Sequence, residues 1–246
     1  MSPHNIPADV QYGEGLDNGY LRLNEATQPL VCFIDNIHPS KFPKKLSYVT
    51  KLKARTEELT GLPCIVVRYT QLAGADMTKP NIRAILIDAS LGPMNPPDQE
   101  YLYKLIRATT IPTIGFCGGH HLIYNAYGGT DELMRRLFPG EPDPHPEYEP
   151  GWFKEWGFMP VQIIQRDPLF GGLPDTIIVN EMHAAECKKL PEVFEVLASR
   201  DTCRIQVIKH KDKLLYGTQF HAEEYDDTHE HGKAILRNFF ALAGIA

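Results

Sequence analysis

The stretch Ile111-Pro112-Thr113-Ile114-Gly115-Phe116-Cys117-Gly118-Gly119-His120-His121-Leu122-Ile123-Tyr124-Asn125-Ala126-Tyr127-Gly128-Gly129 changes hydrophobic period in its middle. Ile111 to Phe116 reads as a short apolar strand. The residues after Cys117 read as a helix stopped by Gly128-Gly129. A cysteine between small residues at a sharp strand-to-helix turn is the geometry of a nucleophile elbow. The unpaired N–H groups of the helix start place partial positive charge near the sulfur, a field that favours thiolate, the reactive form. The other reading is that Cys117 is a small buried hydrophobe at a strand end.

Around this stretch, apolar runs alternate with amphipathic ones. Strands are expected at Leu30 to Ile34, Cys64 to Val67 and Ile82 to Asp88, and helices at Lys45 to Thr60 and Pro96 to Arg107. Uninterrupted apolar strands separated by helices suit a parallel sheet covered on both faces. After Phe158 the expected strands are shorter, at Val161 to Gln165, Thr176 to Val179, Phe194 to Ala198, Ile205 to His210 and Leu214 to Phe220, as hairpins that extend the sheet. A final helix is expected over Gly232 to Leu242. Residues 1–28 are polar and aperiodic and read as an arm, leaving 29–246 as one domain. Within it, residues 131–156 carry five prolines among acidic and aromatic residues and read as a lid or a surface loop.

Leu214 to Glu224 supply the partner that a cysteine nucleophile needs. His221 and Glu223, at i and i+2 on an extended chain, share a face, so the carboxylate can hold the imidazole. His221 would then take the thiol proton and return it to the leaving amine. Glu224 points the other way and reads as a solvated charge.

The chain resembles the class I glutamine amidotransferase (GATase) family, whose nucleophile motif is Gly-x-Cys-x-Gly-x-Gln and whose base motif is Gln-Phe-His-Pro-Glu. Gly115 to Gly119 fit the first, Gln219 to Glu223 fit the second, and Arg237-Asn238-Phe239-Phe240 looks like the family's closing helix. Phe33 to Asn36, Ser90-Leu91-Gly92-Pro93 and Glu181-Met182-His183 are similar in order to its opening strand, oxyanion turn and substrate-contacting segment. The resemblance implies a flavodoxin-like α/β fold, a mostly parallel central sheet flanked by helices with a small antiparallel extension. It also implies the Cys117, His221, Glu223 triad, with the N–H groups of Gly92 and Gly118 as oxyanion hole. His121, Met182 and His183 fall at the substrate end.

The implied reaction is hydrolysis of the γ-carboxamide of glutamine, or of a substituted γ-glutamyl amide, through a glutamyl-thioester. Alternatives are a glutaminase subunit that delivers ammonia to a separate synthetase, and a non-catalytic binding or regulatory module on the same fold. Departures bear on the choice. His121 stands where the family has glutamine, Leu91 and Met94 where it has glycines, and Met182 where it has serine. His121 either contacts substrate or packs within its helix.

Other classes are excluded or disfavoured. The 246 residues carry 25 basic and 31 acidic side chains, net −6, without a basic stripe, so no nucleic-acid partner is expected. No long uncharged apolar run suggests a membrane span, and the N-terminus lacks the pattern of a secretory signal, so a cytoplasmic protein is expected. Five widely spaced cysteines suit reduced thiols. No Gly-x-Ser-x-Gly elbow and no phosphate-cradling loop occur. His229 and His231 lack a third ligand at suitable spacing, so neither metal nor cofactor is expected, and the partner is a small amide substrate.

Overall fold

The computed structural model describes residues 18–37, 42–88, 94 and 96–245. Gly92 with its neighbours in the oxyanion turn, and most of the 1–28 arm, lie outside the described residues. Eleven strands and five α-helices are described: α1 Gly19–Glu25, β1 Leu30–Asp35, α2 Phe42–Thr60, β2 Cys64–Arg68, β3 Ile82–Ile87, α3 Pro96–Ala108, β4 Thr113–Phe116, α4 Gly118–Ala126, β5 Thr130–Leu133, β6 Glu155–Ile163, β7 Thr176–His183, β8 Ala185–Lys189, β9 Phe194–Ser199, β10 Val207–His210, β11 Leu215–Thr218 and α5 His231–Leu242.

Nine strands form one sheet in the order β2-β1-β3-β4-β11-β10-β9-β6-β7. From β2 to β11 neighbours run parallel. From β11 to β7 they run antiparallel. The 2-1-3-4 order of the parallel part is that of flavodoxin-like sheets, in which sites gather at the carboxyl ends of the strands. The antiparallel part is larger than the sequence suggested, because β6 begins at Glu155 and runs the full length of β7. Its first residues alternate only loosely in burial, which hides the strand period in the sequence.

Alternation along β1 sets the core. Val31 and Phe33 face one layer with Val49, Leu52 and Phe239, while Cys32 and Ile34 face the other with Leu102, Ile106 and Ile123. Each such fully buried large side chain contributes about 1.5–3 kcal/mol. The described end of the arm is helical: α1 buries Leu23 and packs on β2. A helix of 7 residues is too short to show a period in sequence. No helix among the described residues is long and apolar enough to cross a membrane.

Residues 131–156 are a stapled excursion. β5 pairs with β8 in a separate two-stranded sheet, and Arg136 bridges Trp152 with its guanidinium 3.9 Å over the ring. Arg135 donates two bonds of 2.6 Å to Glu141, and Lys154 Nζ lies 2.7 Å from Asp143.

Candidate active site

β4 delivers the chain to Cys117 in a conformation that few side chains adopt, φ 39° and ψ −99°. Such a backbone costs about 1–3 kcal/mol and persists only where its surroundings over-determine it. Here the Cys117 N–H donates to Thr218 O at 2.7 Å, and its carbonyl accepts from His121 N–H at 3.1 Å. Glycine allows the close packing behind the turn. A Cβ on Gly115 would stand 2.6 Å from the Gly119 backbone, and one on Gly119 2.5 Å from Ile87 O. Gly118 opens α4, so its N–H is one of those without an intrahelical partner.

β11 ends at Thr218, earlier than the Phe220 expected from sequence, and His221 is instead held by an isolated bridge to β7, its N–H donating to Asn180 O at 2.8 Å. The pairing of His221 and Glu223 therefore comes from a turn. His221 Nδ1 lies 2.8 Å from Glu223 Oε1. Burial opposes charge on His221, yet Glu223 and a hydrogen bond with Cys117 hold its pKa well above the ordinary histidine value. Cys117, His221 and Glu223 are thus together at the carboxyl ends of β4 and β11.

Residues of α2 fix this group, which the sequence did not reveal. Tyr48 donates to Glu223 Oε1 at 2.8 Å, and Arg55 donates to the Glu223 and Tyr225 carbonyls. Burial, with Glu223 and Asp88 beside it, keeps the Tyr48 phenol well above its usual pKa, so it remains a donor. Tyr48→Phe is expected to lower kcat about tenfold with KM little changed, because Glu223 loses one charge-assisted bond; steady-state kinetics checks this. Glu224, expected to be solvated, is paired with Lys51.

The remaining cysteines do not lie on an elbow. Burial pushes the Cys64 and Cys187 thiols up to about 12, and Cys32 and Cys203 well above the usual value. Such thiols are inert.

The substrate-end residues are placed as follows. His121 is fully buried, with Nε2 3.0 Å from Gln219 Oε1. Met182 is the register partner of Trp156. His183 is buried, with Nδ1 2.9 Å from Ala185 O and Nε2 3.0 Å from Glu155 and 3.1 Å from Glu181. Glu155 also accepts from Arg200 at 2.7 Å, from Gln206 at 2.8 Å and from Thr202. Among the described residues, Glu155, His183 and Cys203 place donor atoms within 4.8 Å of one another, as a metal site would. The carboxylate and both ring nitrogens are already committed to protein partners, and Arg200 adds a competing cation. His229 stacks on Phe158 at 3.8 Å and His231 Nδ1 accepts from Ile178 N–H, so the two histidines do not form a pair.

Within the excursion, Tyr148 is electrostatically coupled to Cys117. Burial raises its phenol pKa to about 12, with Cys117 as the next cause. Trp156 lies 6.1 Å from the Tyr148 ring and 4.4 Å from His145. A cleft of about 820 Å³ borders the small sheet at Met134, Arg135 and Lys188, and its lining does not include Cys117.

Comparison with known proteins agrees with this fold. The chain is 32% identical over 180 residues to one subunit of the glutamine-hydrolyzing GMP synthase of Pyrococcus furiosus, covering 73% of this chain and 85% of the relative. It is 29% identical over 197 residues to the protein of that name from Methanococcus maripaludis, covering 80% and 92%. A crystal structure of a glutamine amidotransferase from Thermotoga maritima superposes with a TM-score of 0.63 at 14% identity, covering 90% of this chain and 100% of that one. The family model described as glutamine amidotransferase class-I matches residues 45–243, and the chain belongs to that family.

Proposed function

We propose that this enzyme is a cysteine-dependent amidohydrolase that cleaves a γ-glutamyl carboxamide through a glutamyl-thioester. The observation that carries this is the convergence of Cys117 on its strained elbow with the buried His221–Glu223 pair. Cys117 Sγ attacks the carboxamide carbon, forming the C–S bond. The developing oxyanion lies against N–H groups at the start of α4, Gly118 first among them, and the family resemblance assigns the second donor to Gly92. His221, cationic beside the thiolate, gives its proton to the departing nitrogen. The C–N bond breaks, and ammonia or an amine leaves. Neutral His221 then takes a proton from water, whose oxygen attacks the thioester, and glutamate departs as the sulfur regains its negative charge.

The nitrogen side of the substrate would pass beneath Tyr148 and Trp156, a cover of aromatic rings that suits a substituted amide. His121 and His183, whose ring nitrogens face protein groups, contribute through the walls of the site in this reading. The second reading is a glutaminase subunit that passes ammonia to a separate synthetase. The names of the archaeal relatives, each one subunit of a glutamine-hydrolyzing synthase, favour it.

Glutamate release by the purified protein alone, from glutamine and from a panel of N-substituted γ-glutamyl amides, separates the two. The first reading expects turnover of substituted amides at least about tenfold above glutamine in kcat/KM, which corresponds to about 1.4 kcal/mol of preference for the amine half. Glutamine as the preferred substrate, with substituted amides inert, favours the second.

A further inference from the structure

The residue that departs from the nucleophile motif is linked to the sulfur by an unbroken chain of side chains. Gln219 Nε2 donates to Cys117 Sγ at 3.9 Å, within the longer range of bonds to sulfur. Its Oε1 lies 3.0 Å from His121 Nε2. The other ring nitrogen of His121 stands 3.6 Å from Asp131 Oδ1, and that carboxylate accepts from Asn125 at 2.6 Å. His121 and Gln219 are both fully buried. α4, the end of β11 and β5 each supply one link.

The polarity of this chain is fixed by its ends. A carboxamide oxygen turned toward a thiolate would set lone pair against negative charge, so the Gln219 amide presents its NH₂ to the sulfur. Its oxygen then faces His121 and requires a donor, which assigns the proton to Nε2. A glutamine amide free to rotate would spend part of its time turned away from the sulfur. Anchored by the ring, it presents nitrogen.

We infer that His121 is a positioning residue that acts on Cys117 through Gln219, holding the Gln219 amide as a fixed hydrogen-bond donor to the thiolate. This rests on Cys117 being the nucleophile. It makes His121 part of the apparatus that keeps the sulfur charged, and removes it from contact with substrate.

The test uses the rate of Cys117 alkylation by iodoacetamide as a function of pH, which reads the thiolate whether or not an amide is turned over. In His121→Leu and in Gln219→Leu the midpoint is expected to move up by about one pH unit, with about tenfold slower alkylation near neutrality, since a hydrogen bond to a charged group is lost. The double variant should show no further shift, because the two side chains act as one unit. His121→Gln, which retains a donor toward Gln219, should restore most of the wild-type profile, and should do so even where His121→Leu fails to fold. In turnover, kcat should fall in the leucine variants with KM little changed. An unchanged alkylation profile in Gln219→Leu, or a rise in KM alone in His121→Leu, would overturn the inference. Failure of wild-type protein to release glutamate from any amide, with the alkylation shifts present, would count against the proposed reaction and leave this inference standing.

Discussion

Cys117→Ala is expected to reduce glutamate release to at least about 10⁴-fold below wild type on whichever γ-glutamyl amide proves the best substrate. No other thiol can substitute. Cys187 and Cys203 are buried and their pKa values are raised, and neither lies on an elbow. The loss should appear in kcat with KM nearly unaffected, because the sulfur contributes to bond formation and little to ground-state binding. The variant should fold normally. Removal of one sulfur atom leaves only a small void, and a smaller side chain does not worsen the strain at φ 39°. Parallel kinetics and thermal melts check both halves of the expectation.

The second large effect concerns stability. Glu155→Ala leaves His183 and Arg200 without the carboxylate that both share. Removing one partner from a buried charge group costs about 3–5 kcal/mol, since the remaining charge stays desolvated. For a chain of this size that is a fall in Tm of about 10 °C. The same cluster dictates the pH dependence. Burial opposes charge on His183, but Glu155 and Glu181 raise its pKa from 6.5 to about 10. Its contribution is therefore fully present below about pH 6.5 and is lost as pH rises through about 10. Burial likewise opposes charge on Glu155, yet His183, Thr202 and Arg200 hold it down at about 2 against a usual 4.5. That contribution is present above about pH 4.5 and is lost as pH falls through about 2. Thermal melts should show a plateau between about pH 5 and 6.5 and a decline on the alkaline side. Glu155→Ala should lower the plateau and flatten that decline.

What the sequence revealed divides along physical lines. Strands of the parallel half are continuous apolar runs, three of them entered from a proline (Pro29, Pro63 and Pro112), so their ends lay open within a residue or two. The elbow was legible because Gly115 and Gly119 are forced by close packing, and that packing has no other cheap solution. Three things were hidden. The small β5–β8 sheet lies in polar sequence whose burial alternates only weakly. Tyr48 sits on an amphipathic helix whose apolar face announces a core contact but not the Glu223 beside it. The charge cluster was split between Glu155, taken with the proline-rich segment, and His183, taken with the substrate end, because residues 28 apart are joined only by the β6–β7 pairing. Non-local pairing of this kind leaves no trace in local periodicity.

The charge cluster and the catalytic group also explain why the antiparallel extension matters to the chemistry. β7 carries Asn180, whose carbonyl seats the His221 backbone, and one residue further Glu181 enters the buried cluster. Loosening the cluster should therefore be felt at His221. Glu155→Gln, a milder change than alanine, is expected to lower kcat before it lowers Tm appreciably.

The most direct test of the account is to treat the protein with a γ-glutamyl electrophile that mimics glutamine and locate the adduct by peptide mass spectrometry while hydrolysis is followed. One label per chain is expected, on the peptide that contains Cys117, with activity lost in proportion to labelling. Hydrolysis that continues with Cys117 fully labelled, or inactivation that tracks a label elsewhere, would contradict it.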